Sequence, residues 1–242
     1  MLPNTQASSL RRTTAWLLIL APVLFMAVFT LLGFRFEYPD ILRRPAGYVL
    51  EQFRAGGAGL IALWYGMLLS ALAFVALPVL VHQQLAHAHH RGLRLATTFG
   101  ILAGLVQAMG FARWVFVVPT LAEQYTDPTA SEITRAAIQV VFVSFNQYAG
   151  VGLGEHLGYL FTALWTGLIA AILHPQWRWL GGSGMALAAG IAAGLLEPSG
   201  VSWAGPVNAI SYSLWALWLM AFGILLLRSS DAKPQGSSAI QP

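Results

Sequence analysis

The sequence predicts an all-α, polytopic membrane bundle: six transmembrane helices, with one amphipathic surface helix on the outer side. Three observations carry this fold class. Apolar residues make up 57% of the 242-residue chain and charged residues only 9%. Apolar runs of about twenty residues recur, long enough to cross the roughly 30 Å hydrocarbon core of a bilayer. The few charges gather near the ends of those runs, where an ion avoids the cost of entering lipid.

Composition also removes several function classes. The chain has no cysteine, which excludes disulfides and thiolate metal centres. The single lysine, Lys233, lies in a polar C-terminal stretch, so a retinal-type Schiff base buried in the bundle is excluded. The net charge of +4 is spread over helix ends, where basic residues set topology. The bilayer is therefore the expected partner, and no nucleic acid is expected.

Residues 1–12 read as a polar cytoplasmic tail. The first span, 14–33, follows Arg11 and Arg12. Its apolar run is longer than a signal-peptide core and lacks a small-x-small cleavage site, so it reads as a retained helix, with Pro22 as a kink candidate. The loop that follows carries Arg35, Glu37, Asp40, Arg43, Arg44, Glu51 and Arg54 among apolar residues. Within it, Pro39 suits the first position of a short helix and Pro45 its stop. An amphipathic helix over Ala46–Arg54, closed by Gly56 and Gly57, would lie on the membrane surface.

The second span is 58–81. The connection after it, VHQQLAHAHHRGLR, holds His87, His89 and His90. A zinc site needs three or four converging ligands, and no carboxylate is near in sequence, so this reads as a solvated loop with no metal expected. The third span, 95–118, stops at Pro119. Gly100 and Gly104 form a GxxxG packing motif with Gln107 close to the same face. Arg113, beside Trp114, either snorkels to the interface along its apolar stem or pairs inside the bundle.

Thr129 and Glu132 fit a capping box, which predicts a helix start near Ala130. From Ala136 to Leu173 the chain is helical in pattern for 38 residues, about 57 Å. That is too long for one span and too short for two with a turn. The sequence thus predicts a surface or partly embedded helix over 130–149 and a separate fourth span over 151–173. The fifth span is 180–196, after the HPQWRW turn, and the sixth is 206–227. A disordered cytoplasmic tail, 229–242, is expected beyond it. The membrane domain as a whole is 13–228.

Two small-residue ladders stand out: Gly150, Gly154 and Gly158, continued by Thr162 and Thr166, and Gly182, Ala186, Gly190 and Gly194. On consecutive antiparallel spans they are expected to face each other. Basic residues give the topology. With the N-terminus inside, the inner segments carry Arg11, Arg12, Arg91, Arg94, Arg178, Arg228 and Lys233. The outer ones carry Arg35, Arg43, Arg44, Arg54 and Arg135, plus Arg113 near that surface. The small excess favours both termini in the cytoplasm. Arg113, Asn146, Gln147, Glu155, His156, Glu197 and Asn208 then all fall in the outer half and form the candidate polar cluster. Glu155 reads either as a helix-end marker at the headgroups, as part of a structural polar cluster, or as a ligand or proton site. Arg113 is its expected charge partner.

The segments FEYPDILRRP, FRAGG, LIALWYG, ARWVFVVP and QYAGVGLGEHLGYLFTALWT, with the late Glu197 and Asn208, resemble an uncharacterised bacterial family of six-helix membrane proteins, domain of unknown function 4386. The resemblance covers 13–228. It implies six spans and the bacterial inner membrane, and it supplies no reaction, ligand or catalytic residue. The residues themselves leave three functional classes open. The first is a non-enzymatic sensor or accessory protein that binds a small ligand or a membrane partner from outside. The second is a small-molecule or proton-coupled transporter. The third is an intramembrane enzyme using Glu155 and His156 for acid–base work. No cofactor is expected: His82 and His156 sit near opposite surfaces, which does not suit bis-histidine haem.

Overall fold

The computed structural model describes residues 4–229. The tail expected over 229–242 lies outside them but for Ser229, whereas the N-terminal one expected over 1–12 is helix from Asn4 onward. Apolar composition and good helix formers give an almost wholly helical chain, and no strand occurs among the described residues. Among the described residues six helical stretches are long and apolar enough to cross a membrane.

The elements in order are α1 (Asn4–Phe36), α2 (Ala46–Leu85), α3 (Leu93–Phe116), α4 (Val118–Tyr125), α5 (Glu132–Phe145), a π-helical segment (Asn146–Leu157), α6 (Gly158–Leu173), α7 (Arg178–Ala192) and α8 (Ala204–Arg228). Short 3-10 turns cover Asp40–Arg43, Ala86–Ala88 and Ala193–Ser199. The start of α1 lies beside the end of α8, since a Cβ on Gly223 would touch the Ala15 carbonyl. Both described chain ends therefore share one end of the bundle.

Two apolar clusters fill the interior. At the end near the chain termini, Leu18, Trp165, Ile169, Leu173, Leu180, Trp218 and Phe222 pack together. At the far end, Phe36, Phe53, Trp64, Trp114, Ile138 and Phe142 form the second. Exposed aromatic rings mark both ends, with Trp16 and Trp179 at the first and Phe34, Phe116 and Trp203 at the other, as in the aromatic belts at membrane–water boundaries.

Several expected boundaries shift for identifiable reasons. The helix expected over Ala46–Arg54 is present, and Gly57 (φ 57°, ψ −154°) breaks it from the second span. It buries Val49, Leu50 and Phe53 in the far-end cluster rather than lying freely on a surface. Pro119 lies just past the end of the third helix at Phe116. It occupies the first turn of α4, where a missing N–H costs nothing, and the chain continues to Tyr125. Ser131, not Thr129, caps α5: its hydroxyl accepts from the Thr134 amide at 3.1 Å. Thr129 is instead turned back on Asp127, to which its amide and hydroxyl both donate at 2.7 Å.

The largest correction concerns 130–149. This is no separate helix but the first part of one continuous helical run, Glu132–Leu173, of 42 residues. Ile138 and Phe142 of α5 join the far-end cluster, so α5 is held by packing beyond the stretch that a bilayer needs. No break occurs at the glycine-rich stretch where one was expected. The backbone widens there into the π segment, with helical φ and ψ at both of its boundaries.

The ladders do not face each other. Gly150, Gly154 and Gly158 descend along α3, against Arg113, Gly110 and Gln107 in turn. On the fifth span, Gly190 looks at Ser211 of α8, Gly194 at Asn208 of α8 and at the Tyr159 ring of α6, and Gly182 meets nothing within 4 Å. Contact between α6 and α7 also runs through Gly184 against Ala170 and Gly167 against Ala188.

Candidate functional site

Arg113 lies in the last turn of α3 and is only 7% exposed. It does not snorkel. Its guanidinium folds back so that Nη1 donates to the Gly110 carbonyl and Nη2 donates to Asn146 Oδ1 at 3.1 Å. The charge lies 5.1 Å above the Trp114 ring, a geometry in which the ring quadrupole stabilises a desolvated cation by about 2 kcal/mol. Gly150 makes room for the head group, because a Cβ there would fall 2.6 Å from Nη2. One turn further, Gly154 and Gly110 bring the two backbones together, with a Cβ on Gly154 only 3.1 Å from the Gly110 Cα.

An aromatic stack supports this arrangement. Trp114 and Trp64 are parallel with centroids 4.6 Å apart. Phe36 meets Trp114 edge-on at 5.4 Å and Tyr38 meets Trp64 edge-on at 5.1 Å. Within this packing, Arg113 Nε and the indole nitrogens of Trp64 and Trp114 are buried without a hydrogen-bond partner. All three are donors. A buried unmade hydrogen bond costs about 1–3 kcal/mol, and Trp165 and Arg11 at the other end of the bundle each leave one donor unfilled as well.

Glu155 is half-buried within the π segment, not at a helix end. It interacts electrostatically with Arg113 and with Glu197. The direct pair expected between Arg113 and Glu155 does not form. The ion pairs within 4.0 Å among the described residues are Arg43 with Asp40 and Arg44 with Glu37. The reason is geometric: Asn146, at the start of the π segment, takes the guanidinium edge, and Glu155 lies near the segment's other end. Tyr38 feels both charges. Burial pushes its phenol up to about 12, with Arg113 lowering it and Glu155 raising it further.

The other expected members divide. Asn208 is buried and donates to the Ile191 carbonyl at 2.7 Å, tying α8 to α7. Glu197 is exposed on the 3-10 turn after α7. Gln147 points to the exposed side, and His156 is half-buried with no hydrogen bond or ion pair among the described residues. The structure thus brings together Arg113, Asn146 and Glu155, with Glu197 in electrostatic reach of Glu155, and leaves Gln147 and His156 outside. It adds Tyr38, Trp64 and Trp114. Tyr38 was visible only as part of FEYPDILRRP, and nothing in its spacing said that the loop folds back over the third helix.

A second polar seam runs down α6. Gln107 Nε2 donates to Thr162 Oγ1 at 3.2 Å and the Trp215 indole donates to Thr166 Oγ1 at 2.8 Å. These bonds are spent on holding α3, α6 and α8 together. A cavity of about 20 Å³ beside them, lined mainly by Phe74, Leu77, Pro78 and Trp165, is large enough for about one water molecule. Among the described residues no three metal-ligating side chains converge.

No curated protein and no solved structure matches this chain. One comparison does: over residues 13–227 the chain, whose described residues hold six helices long and apolar enough to cross a membrane, matches the family described as domain of unknown function (DUF4386), and it belongs to that family.

Proposed function

We propose that the protein is a non-enzymatic sensor or accessory protein of the bacterial inner membrane, with both termini cytoplasmic. On this reading, its far end opens outward and receives a small ligand, or a membrane partner, that presents negative charge or acceptor atoms to Arg113. The observation that carries the reading is Arg113 itself. An arginine in the apolar interior costs several kcal/mol, yet this one has no carboxylate in contact and keeps a buried, unpartnered Nε. Arg11 and Arg135 share the unfilled Nε, but Arg113 is the one of the three that lies deep inside a span-length helix and is fully packed. The long π segment beside it supports the same reading, since π geometry is rare and recurs at functional sites.

A transport reading draws on the same segment, because carriers use irregular helices at their sites. Against it stands the opposite end of the bundle. There Leu77, Trp165, Ile169, Leu180 and Phe222 pack as an apolar plug, across which an ion would be strongly disfavoured.

Thermal melting of the purified protein, with a panel of small carboxylates and phosphates, tests the proposal. A binder present at about a hundred times its Kd stabilises by roughly 2.7 kcal/mol, and Arg113→Met should abolish the shift. Shifts that survive Arg113→Met would remove Arg113 from the site. Proton flux in proteoliposomes that depends on Glu155 would replace the proposal with the transport reading.

A further inference from the structure

The loop between α1 and α2 has features that its role as a connection does not require. Glu37 takes a left-handed backbone conformation, φ 51°, which non-glycine residues adopt only where their surroundings impose it, and which recurs at clamps and switch regions. Its carboxylate is what fixes it. Oε1 accepts from the Tyr48 hydroxyl at 2.8 Å, and Oε2 lies 3.7 Å from Arg44 Nη2. The Arg44 guanidinium in turn sits 5.7 Å from the centre of the Tyr48 ring. The Arg44 and Glu37 side chains are 59% and 49% exposed, so water competes with their ion pair and weakens it.

On either side of Glu37 the chain turns inward. Phe36 packs on Trp114 and Tyr38 on Trp64, two stacked rings of which Trp114 carries the Arg113 guanidinium on its face. The strained residue thus joins a weak exposed fastening to the two rings that cover the aromatic support of the buried guanidinium.

We infer that the stretch from Phe36 to Arg44 is a latched gate over Arg113, held shut by the contacts of Glu37 with Tyr48 and Arg44 and opening to admit an anionic group. The inference rests on the reading of Arg113 as the receiving residue. Two opposed effects set the balance. Left-handed strain at Glu37 favours release, and the exposed latch together with Phe36 and Tyr38 packing favours closure. Opening withdraws Tyr38 from Trp64 and uncovers the unfilled donors Arg113 Nε and the two indole N–H groups, with the Glu155 carboxylate in electrostatic reach of the guanidinium. A site that offers donors and a positive charge selects acceptors and negative charge.

The absence of cysteine makes a clean test available. In the full chain, in nanodiscs, Asn146→Cys is the only thiol and lies against Arg113. Its labelling rate is measured with an anionic sulfonatoethyl and a cationic trimethylammonioethyl methanethiosulfonate, each normalised to its rate with a free thiol. The latch is removed in two ways, by Tyr48→Phe with Arg44→Met, and by Glu37→Gly, which also relieves the left-handed strain and so guards against a folding defect. Loss of two exposed interactions should speed labelling by about ten-fold in the Tyr48→Phe, Arg44→Met protein and by less in Glu37→Gly, where relief of the strain favours closure, with the anionic reagent ahead in both. Rates within two-fold of the latched protein in both variants overturn the gate and leave the Arg113 reading to its own thermal-shift test. A faster cationic reagent in the unlatched proteins overturns Arg113 as the receiving group, whatever the latch does.

Discussion

Arg113 concentrates the electrostatics of this molecule in one side chain. Its charge is balanced by an amide oxygen, a backbone carbonyl and an indole face rather than by a contacting carboxylate. Neutral acceptors of this kind share a charge without neutralising it, so each one counts. Asn146→Ala leaves Nη2 without its acceptor and should destabilise the protein by about 1–3 kcal/mol, read as thermal melting in detergent. The neighbouring Gln147→Ala, at an exposed position, should stay within about 0.5 kcal/mol. Equal effects at the two positions would show that the Asn146 contact contributes nothing. Asn208, which sequence position grouped with the cluster, belongs to a different job: its amide stitches α8 to α7.

At the scale of elements, the π segment decides what meets what. Its glycines allow the backbone to lie directly on α3, and the spacing of Gly150, Gly154 and Gly158 matches Arg113, Gly110 and Gln107 on the antiparallel partner. Two substitutions separate a glycine that is required by contact from one that is not. Gly154→Leu must push Gly110 and its helix away and should cost about 1–3 kcal/mol or more as an overpacked contact. Gly182→Leu has open space in front of it and should leave the melting temperature within a degree or two. Accumulation and melting of both variants in detergent give the comparison, and a stable Gly154→Leu protein would mean that the π segment does not press on α3. The GxxxG of α3 has its own partner, because Gly104 lies against the backbone at Phe74 and Val75 of α2.

At the scale of the whole molecule, an even number of span-length helices and the contact between Gly223 and Ala15 place the beginning and end of the membrane domain at the same end of the bundle. A reporter fused after Arg228 should therefore be active in its cytoplasmic form if the basic-residue bias reads the orientation correctly. Periplasmic activity there would invert the molecule and turn the Arg113 cluster towards the cytoplasm.

The sequence by itself determined the all-helical class, the six apolar runs and the break at Gly57, though not the separate surface helix. These follow from local chemistry: apolar length against bilayer thickness, glycine where the backbone turns left-handed, and the cost of charge in lipid. It also marked Arg113, Asn146 and Glu155 as one neighbourhood. Only the tertiary structure decided how the neighbourhood is wired. Helical spacing identifies a face but not the helix that face will meet, so the glycine ladder was assigned to the fifth span when it lies on the third. Bilayer thickness limits a span but not a helix, so one continuous run of 42 residues replaced two elements. Opposite charges imply attraction but not contact, and Asn146 stands where Glu155 was expected. Tyr38 enters the site only because a loop folds back across the sequence onto Trp64, and no local pattern encodes a contact whose energy exists only once both partners are buried together.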